Sequence, residues 1–353
     1  MNNYYDYAAS TPVSPQVLEA MRPWEAENFA NASSAHQAGR LSSQAIQRAR
    51  ELIADKIGAL PSEIIFTSGA SEANNLALKG VAFKHLDTKG HIITSAIEHK
   101  CILNTCAFLE SLGFEVTYLS PNQEGQISPS SIEAEIRSNT VLISIHHVNN
   151  ELGTIQPIED IGAIAFEHNI LFHTDAAQSF CKCDINVDEM NIDMLSLSGH
   201  KIYGPKGIGA LYVRDARDSE LVPLIHGGGQ ESGLRGGTSP TPLIVGLATA
   251  VELYPTQPSS SEKQFLELMA KFDYIRNGGV TVVPTTWSVT FHTDEDVKRF
   301  TNDYPWLISQ GSACNALSNV ASHVLIAIGI SEEVARRTYR ISFPPYKLSD
   351  RLS

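Results

Sequence analysis

Long apolar runs are missing from this chain. No stretch approaches the roughly 20 apolar residues needed to span a bilayer, so a membrane-spanning helix is not expected. The N-terminus, MNNYYDYAASTP, has no basic segment followed by an apolar one, and no secretory signal is expected. Cysteine is scarce, with five in 353 residues. Cys101, Cys106, Cys181, Cys183 and Cys314 are an odd number, which suits reduced thiols in the cytoplasm better than a disulfide framework. Cys181 and Cys183 form a C-x-C pair, but no second pair or His-x-His lies near it, and no metal site is expected. Positive charge is short as well: 26 Lys plus Arg against 39 Asp plus Glu leave a formal net charge of -13. Nucleic-acid binders concentrate Lys and Arg, so direct nucleic-acid binding is not expected. Internal repeats are absent, and the one low-complexity stretch is PTQPSSSEK at 255–263.

What is present is an ordinary globular balance, 42% hydrophobic and 18% charged. The length suits one large domain and a smaller one. EIIFTS (63–68), HIITS (91–95), FEVTYLS (114–120), TVLISIHHV (140–148), ILFHTD (170–175), DMLSLS (193–198) and GIGALYV (207–213) read as strands. Amphipathic helices lie between several of them, such as SEANNLALKGVAFKHL and PIEDIGAIAFEHN. Leu41, Ala45, Ile46, Ala49, Leu52 and Ile53 fall on one face of an earlier helix. Strands alternating with helices predict an α/β fold with a mixed, mostly parallel sheet covered on both faces. The pattern changes after Gly246, where short strands (GVTVVP, WSVTFH) precede more helices. The expected division is a large domain over 11–246, with 1–10 and 247–353 forming a smaller α+β domain.

Ligands of open α/β sheets bind beyond the carboxyl ends of the strands. In FTSGASEANN, Gly69 gives a tight turn and Ser71 can cap the helix that follows, whose free N–H groups suit a phosphate. Taken alone this is an ordinary capped helix. ILFHTD ends in Asp175, a costly strand-end acid unless it meets a cation such as a pyridinium, or simply caps the next turn. In SLSGHKIYGPKG, Lys201 is fenced by Gly199 and Gly204 and stands between His200 and Ile202. A partly desolvated amine there would lose its proton easily and could form a Schiff base. Lys for an aldehyde, Asp for a ring nitrogen and a helix N-terminus for a phosphate together describe pyridoxal 5'-phosphate. Near the C-terminus, ISQGSACNAL places Cys314 among small and polar residues rather than Leu or Val. That setting fits a displayed thiol on a segment built to move, not a core cysteine.

These segments resemble a known family. YYDYAASTP, SSAHQAGR, IIFTSGASEANNLALKG, HIITSAIEHK, HVNNELGTIQPI, HTDAAQS, SLSGHKIYGPKGIGALYVR, HGGGQESGLRGGT and QGSAC are similar to the cysteine desulfurases of the class V aminotransferase superfamily. The resemblance implies a pyridoxal-phosphate-dependent transferase of fold type I, working as a homodimer with its active site at the subunit interface. It implies that Lys201 holds the cofactor covalently, Asp175 pairs with the ring nitrogen, and His99 stacks on the ring as an acid/base. Gln178 would bond the ring hydroxyl. Ala70, Ser71, Ser198 and His200 would hold the phosphate, with Thr238 reaching it from the other subunit. Asn150 and Arg340 would orient the substrate carboxylate, a task that suits the guanidinium fork. Cys314 would attack the sulfur of bound L-cysteine and carry it as a persulfide to an acceptor protein, leaving L-alanine.

The sequence departs from the usual pattern at Ala32, where proline is common, at Gln310, where serine is common, and in ISFPPYKL after Arg340. Housekeeping members of the family dock iron–sulfur scaffold proteins on a longer segment after the position of Arg340, so a dedicated acceptor is expected here instead. The compact form is similar to desulfurases that supply DNA phosphorothioate modification, which gives that pathway as the expected destination. Rival readings are a selenocysteine lyase, a class V aminotransferase, which has no need of Cys314, and a degenerate sulfur-relay or scaffold subunit.

Overall fold

A computed structural model describes residues 3–219, 221–255, 265–267, 269–303, 306–310 and 321–344. Seven strands build the larger sheet: β1 (Ile64–Thr67), β2 (His91–Ser95), β3 (Glu115–Leu119), β4 (Thr140–Ser144), β5 (Leu171–Asp175), β6 (Met194–Ser198) and β7 (Gly209–Val213). Their order is β1-β7-β6-β5-β4-β2-β3. β6, β5, β4, β2 and β3 pair in parallel, while β7 runs antiparallel to both β1 and β6. The sheet is therefore mixed and mostly parallel, as the alternation of strands and helices predicts.

The two-residue period of the strands divides their side chains between two cores. Ile64, Phe66, Ile93, Leu195, Leu197, Ala210 and Tyr212 point into one. Ile65, Ile92, Met194, Leu211 and Val213 point into the other. Helices α1 (Pro15–Ala26), α2 (Gln37–Ile57), α5 (Pro129–Ala134), α6 (Ile158–Glu167) and α7 (Thr241–Glu252) supply the first core; α3 (Ala70–Lys84) and α4 (Lys100–Ser111) cover the second. α2 shows the expected amphipathic face through buried Ile46, Ala49 and Ile53, and Gly58 ends it at φ 71°. Leu41 is exposed instead, because Gly39 and Ser42 form the buried turn there. A Cβ on Gly39 would stand 2.7 Å from Ser34 Cβ, so only glycine fits that approach.

A three-stranded antiparallel sheet, β10-β9-β8, is made by β8 (Tyr274–Asn277), β9 (Thr286–Phe291) and β10 (Thr338–Ser342). Phe265, Met269, Trp287, Val289, Phe291, Phe300, Ile341 and Phe343 form its own core, with Tyr5 packed against it. The N-terminal segment joins this sheet through bridges from Tyr4 to Leu307 and from Asp6 to Ser342. WSVTFH is a strand as expected, but GVTVVP is not. The chain turns at Gly278 (φ 98°) and Gly279 (φ 67°), Val280 is exposed, and only a single bridge from Val282 to Thr154 forms. The strand lies earlier, at Tyr274–Asn277. α7 runs across residue 246, and its Leu247, Ala248, Ala250 and Val251 belong to the large core.

Candidate active site

A cavity of about 440 Å³ opens beyond the carboxyl ends of β5 and β6, beside the start of α3. Ala70, Ser71, Ser198, His200 and Lys201 line it on the side of α3 and β6. His99, Asp175, Gln178, Asn150 and Arg340 complete its wall. The structure thus brings together ten of the residues singled out in the sequence. Thr238 is exposed and lies outside this wall. Cys314 lies outside the described residues.

Lys201 ends the short 3-10 turn Gly199–Lys201 that follows β6. Its Nζ donates to Ala8 O at 2.5 Å and Ala9 O at 2.9 Å. Burial, then the nearby Arg340 and Lys182 charges, push its pKa down to about 7 against the pull of Asp175 and Asp6. Such an amine is substantially neutral near physiological pH, the form that attacks a carbonyl.

Asp175 is the last residue of β5 and is buried. Its Oδ1 accepts from Ala177 N–H at 2.9 Å and its Oδ2 from Asn74 Nδ2 at 2.7 Å. Both partners are neutral, so no cation is hydrogen-bonded to this carboxylate among the described residues. Gln178 is pinned from both ends: Nε2 donates to Ala8 O at 2.9 Å, and Oε1 accepts from Lys182 Nζ at 3.2 Å. The helix α3 starts at Gly69 (φ 152°) without a side-chain cap, so its first amides are free on the cavity side. His200 has its Nδ1 3.2 Å from Ser10 Oγ, and burial beside Lys201 holds its pKa down at about 4. It is a neutral hydrogen-bonding group there, not a second cation.

His99 caps α4 by accepting Cys101 N–H at Nδ1, 3.2 Å away. Burial lowers its pKa more than the Asp175 charge raises it. Arg340, in β10, is held by Asp6, with Nη2 to Oδ1 at 2.7 Å, and by Asn150 O at 3.1 Å from Nη1. Asn150 meets Arg340 through its carbonyl rather than its amide. Asp6 also accepts from Ser309 Oγ at 2.8 Å, and Ser309 and Arg340 exchange backbone hydrogen bonds.

The sequence reading missed Asn74, Cys101 and Asp6. The last stands in YYDYAASTP, a segment that carries the family resemblance and was expected to complete the smaller domain, with no role given to its acid. The donor set fits pyridoxal phosphate: a half-neutral lysine for the aldehyde, a buried carboxylate for the ring nitrogen, and uncapped helix amides with Ser198 and Ser71 for the phosphate.

A largely buried lysine and a buried carboxylate share one cavity at the strand ends of a mixed α/β sheet, an arrangement suited to lysine-based carbonyl chemistry. The chain belongs to the aminotransferase class-V family, whose model matches residues 3–352. It is 43% identical to a protein named cysteine desulfurase IscS from Dictyoglomus turgidum, over 99% of this chain and 91% of that one. Among solved structures it is similar to SspA in complex with cysteine, with 68% identity, a TM-score of 0.96, and 98% and 99% of the two chains covered. It is also similar to DndA from Streptomyces lividans, with 36% identity, a TM-score of 0.81, and 96% and 98% covered. No described helix is long and apolar enough to cross a membrane.

Proposed function

We propose that this protein is a pyridoxal-phosphate-dependent cysteine desulfurase that converts L-cysteine to L-alanine and takes the sulfur onto Cys314 as a persulfide. The observation that carries the reading is the meeting of Lys201 Nζ, Asp175 and the α3 amides in one cavity. The similarity to a chain solved in complex with cysteine supports the substrate.

Lys201, Asp175, Gln178 and the Ala70–Ser71 turn would hold the cofactor. When bound, it supplies an electron sink that lets the substrate Cα proton and then the Cβ–S bond leave. Arg340 offers its guanidinium to the substrate carboxylate, and its ion pair with Asp6 fixes its position. Lys201 Nζ, neutral in part near pH 7, can take and return a proton at the substrate. His99 presents Nε2 to the cavity from the start of α4. Cys314 takes the substrate sulfur as a thiolate, forming the S–S bond as the C–S bond breaks.

Thr238 completes the phosphate site from a second copy in a homodimer. The persulfide passes to an acceptor protein in the cytoplasm, and the destination we favour is DNA phosphorothioate modification, on the sequence resemblance. The net charge of -13 supports a protein acceptor rather than a grip on DNA itself.

Purified protein is expected to be yellow and to release alanine and sulfide from cysteine in the presence of a thiol. Lys201→Ala should abolish both the colour and the reaction; Cys314→Ser should keep the colour and lose sulfur transfer. A colourless wild-type protein after incubation with the cofactor defeats the proposal.

A further inference from the structure

The Nδ1 side of His99 is built as carefully as the cavity it borders, whose wall also includes Cys101. Asn74 sits in α3, fully buried. Its amide nitrogen donates in two directions, to Asp175 Oδ2 at 2.7 Å and to Cys101 Sγ at 3.1 Å. Cys101 Sγ in turn lies 3.0 Å from His99 Nδ1, which also accepts the Cys101 backbone N–H at 3.2 Å. The donors run one way. Asn74 has only hydrogens to give at Nδ2 and the Ser71 hydroxyl also gives to the sulfur, so the sulfur receives from both and its own S–H is free for Nδ1. Nδ1 receives twice and carries no proton in the neutral ring. The proton is then on Nε2, which has no protein hydrogen-bond partner among the described residues, on a ring that lines the cavity.

We propose that Asn74 and Cys101 are positioning residues that lock His99 in the Nε2–H tautomer, so that it faces substrate as a proton donor while Lys201 acts as the base. Together they tie the His99 tautomer to the setting of Asp175, two groups that would flank the same cofactor ring. This assignment rests on the desulfurase reading for its chemistry, though the tautomer itself does not. Burial pushes the Cys101 thiol up to about 12, so the S–H persists throughout the working pH range. The charged and titratable groups acting on His99 are Asp175, Lys201, His323 and Glu98, and none of them faces Nδ1 more closely than Cys101 does.

The test is nitrogen NMR of histidine-labelled protein, with and without bound cofactor, beside the pH profile of kcat. Wild-type His99 is expected to show a protonated Nε2 and bare Nδ1. Cys101→Ala and Asn74→Ala are expected to mix the two tautomers and lower kcat about ten- to a hundredfold, with KM for cysteine changed less than about threefold. Cys101→Ser, whose hydroxyl can make the same two contacts, should keep the tautomer and most of the rate. A proton on Nδ1 in the wild type overturns the assignment, as does a Ser variant as damaged as the Ala one, which makes the thiol a packing group only. If Asn74→Ala does not fold, Cys101→Ala at its half-buried position carries the test alone. Wild-type protein that makes no alanine from cysteine sinks the desulfurase reading and leaves the tautomer measurement standing.

Discussion

Lys201 stands between two cations and two anions, and burial decides the balance. Because the neutral amine is the nucleophile, attachment of pyridoxal phosphate to the apoenzyme should speed up as pH rises through about 7 and level off above it. The neighbours give the sign of two further shifts. Arg340 lowers the Lys201 pKa, so Arg340→Leu should move the midpoint to higher pH. Asp6 raises it, so Asp6→Asn should move the midpoint to lower pH. Rapid-mixing absorbance across pH reads both, and midpoints moving in the same direction contradict the electrostatic account. Lys201 and Asp175 were legible in the sequence because each is an expensive charge at a predicted strand end, bounded by small residues. Asn74, Cys101 and Asp6 were not. A helix-interior Asn, a helix-borne Cys and an N-terminal Asp look ordinary until α3, α4, β5 and β10 converge on one cavity.

At the scale of elements, all seven strands of the large sheet were legible: strands buried on both faces read as runs of apolar, β-branched residues, and the half-buried edge strand β3 is still rich in Val, Thr and Tyr. TVLISIHHV was read too long. The sheet ends at Ser144, and His146 and Val148 turn aside to line the cavity. β8 was missed because YIRN is half-buried and polar at the ends, while GVTVVP has strand composition but follows two glycines in the left-handed region. Close approach of elements is also where single substitutions act farthest. Gly209 begins β7 with its Cα against the turn that starts α3. A Cβ there would stand 2.7 Å from Gly69 Cα and press on Leu197 O. Backbone atoms cannot swing away as a side-chain tip can, so Gly209→Ala should cost about 1–3 kcal/mol of stability. Displacing Gly69 shifts the free amides of Ala70 and Ser71, so cofactor affinity should fall about tenfold. Denaturant unfolding and cofactor titration measure the two effects. An alanine variant that loses stability but binds cofactor normally would separate the glycine from the phosphate cradle.

For the whole molecule, the separate cores support a division into a large unit around the seven-stranded sheet and a small unit around β8–β10. We propose that the site lies between them, since Arg340 of the small sheet meets Asn150 of the large unit. One proposed ligand does not belong to this cavity in its own chain: Thr238 is exposed and outside the wall. If a second copy supplies it, the two subunits of a dimer are interdependent, and mixing variants shows it. Combine Lys201→Ala and Thr238→Ala chains into hybrid dimers. With Thr238 acting across the interface, one of the two sites pairs an intact Lys201 with an intact Thr238 from its neighbour, and hybrids regain about half the wild-type activity at limiting cofactor. With Thr238 acting within its own chain, each site keeps one lesion and no wild-type site forms. Cofactor affinity separates the outcomes as cleanly as rate does, because the restored site alone binds as tightly as the wild type. Hybrid dimers that bind cofactor no better than the Thr238→Ala homodimer would remove Thr238 from the partner's site.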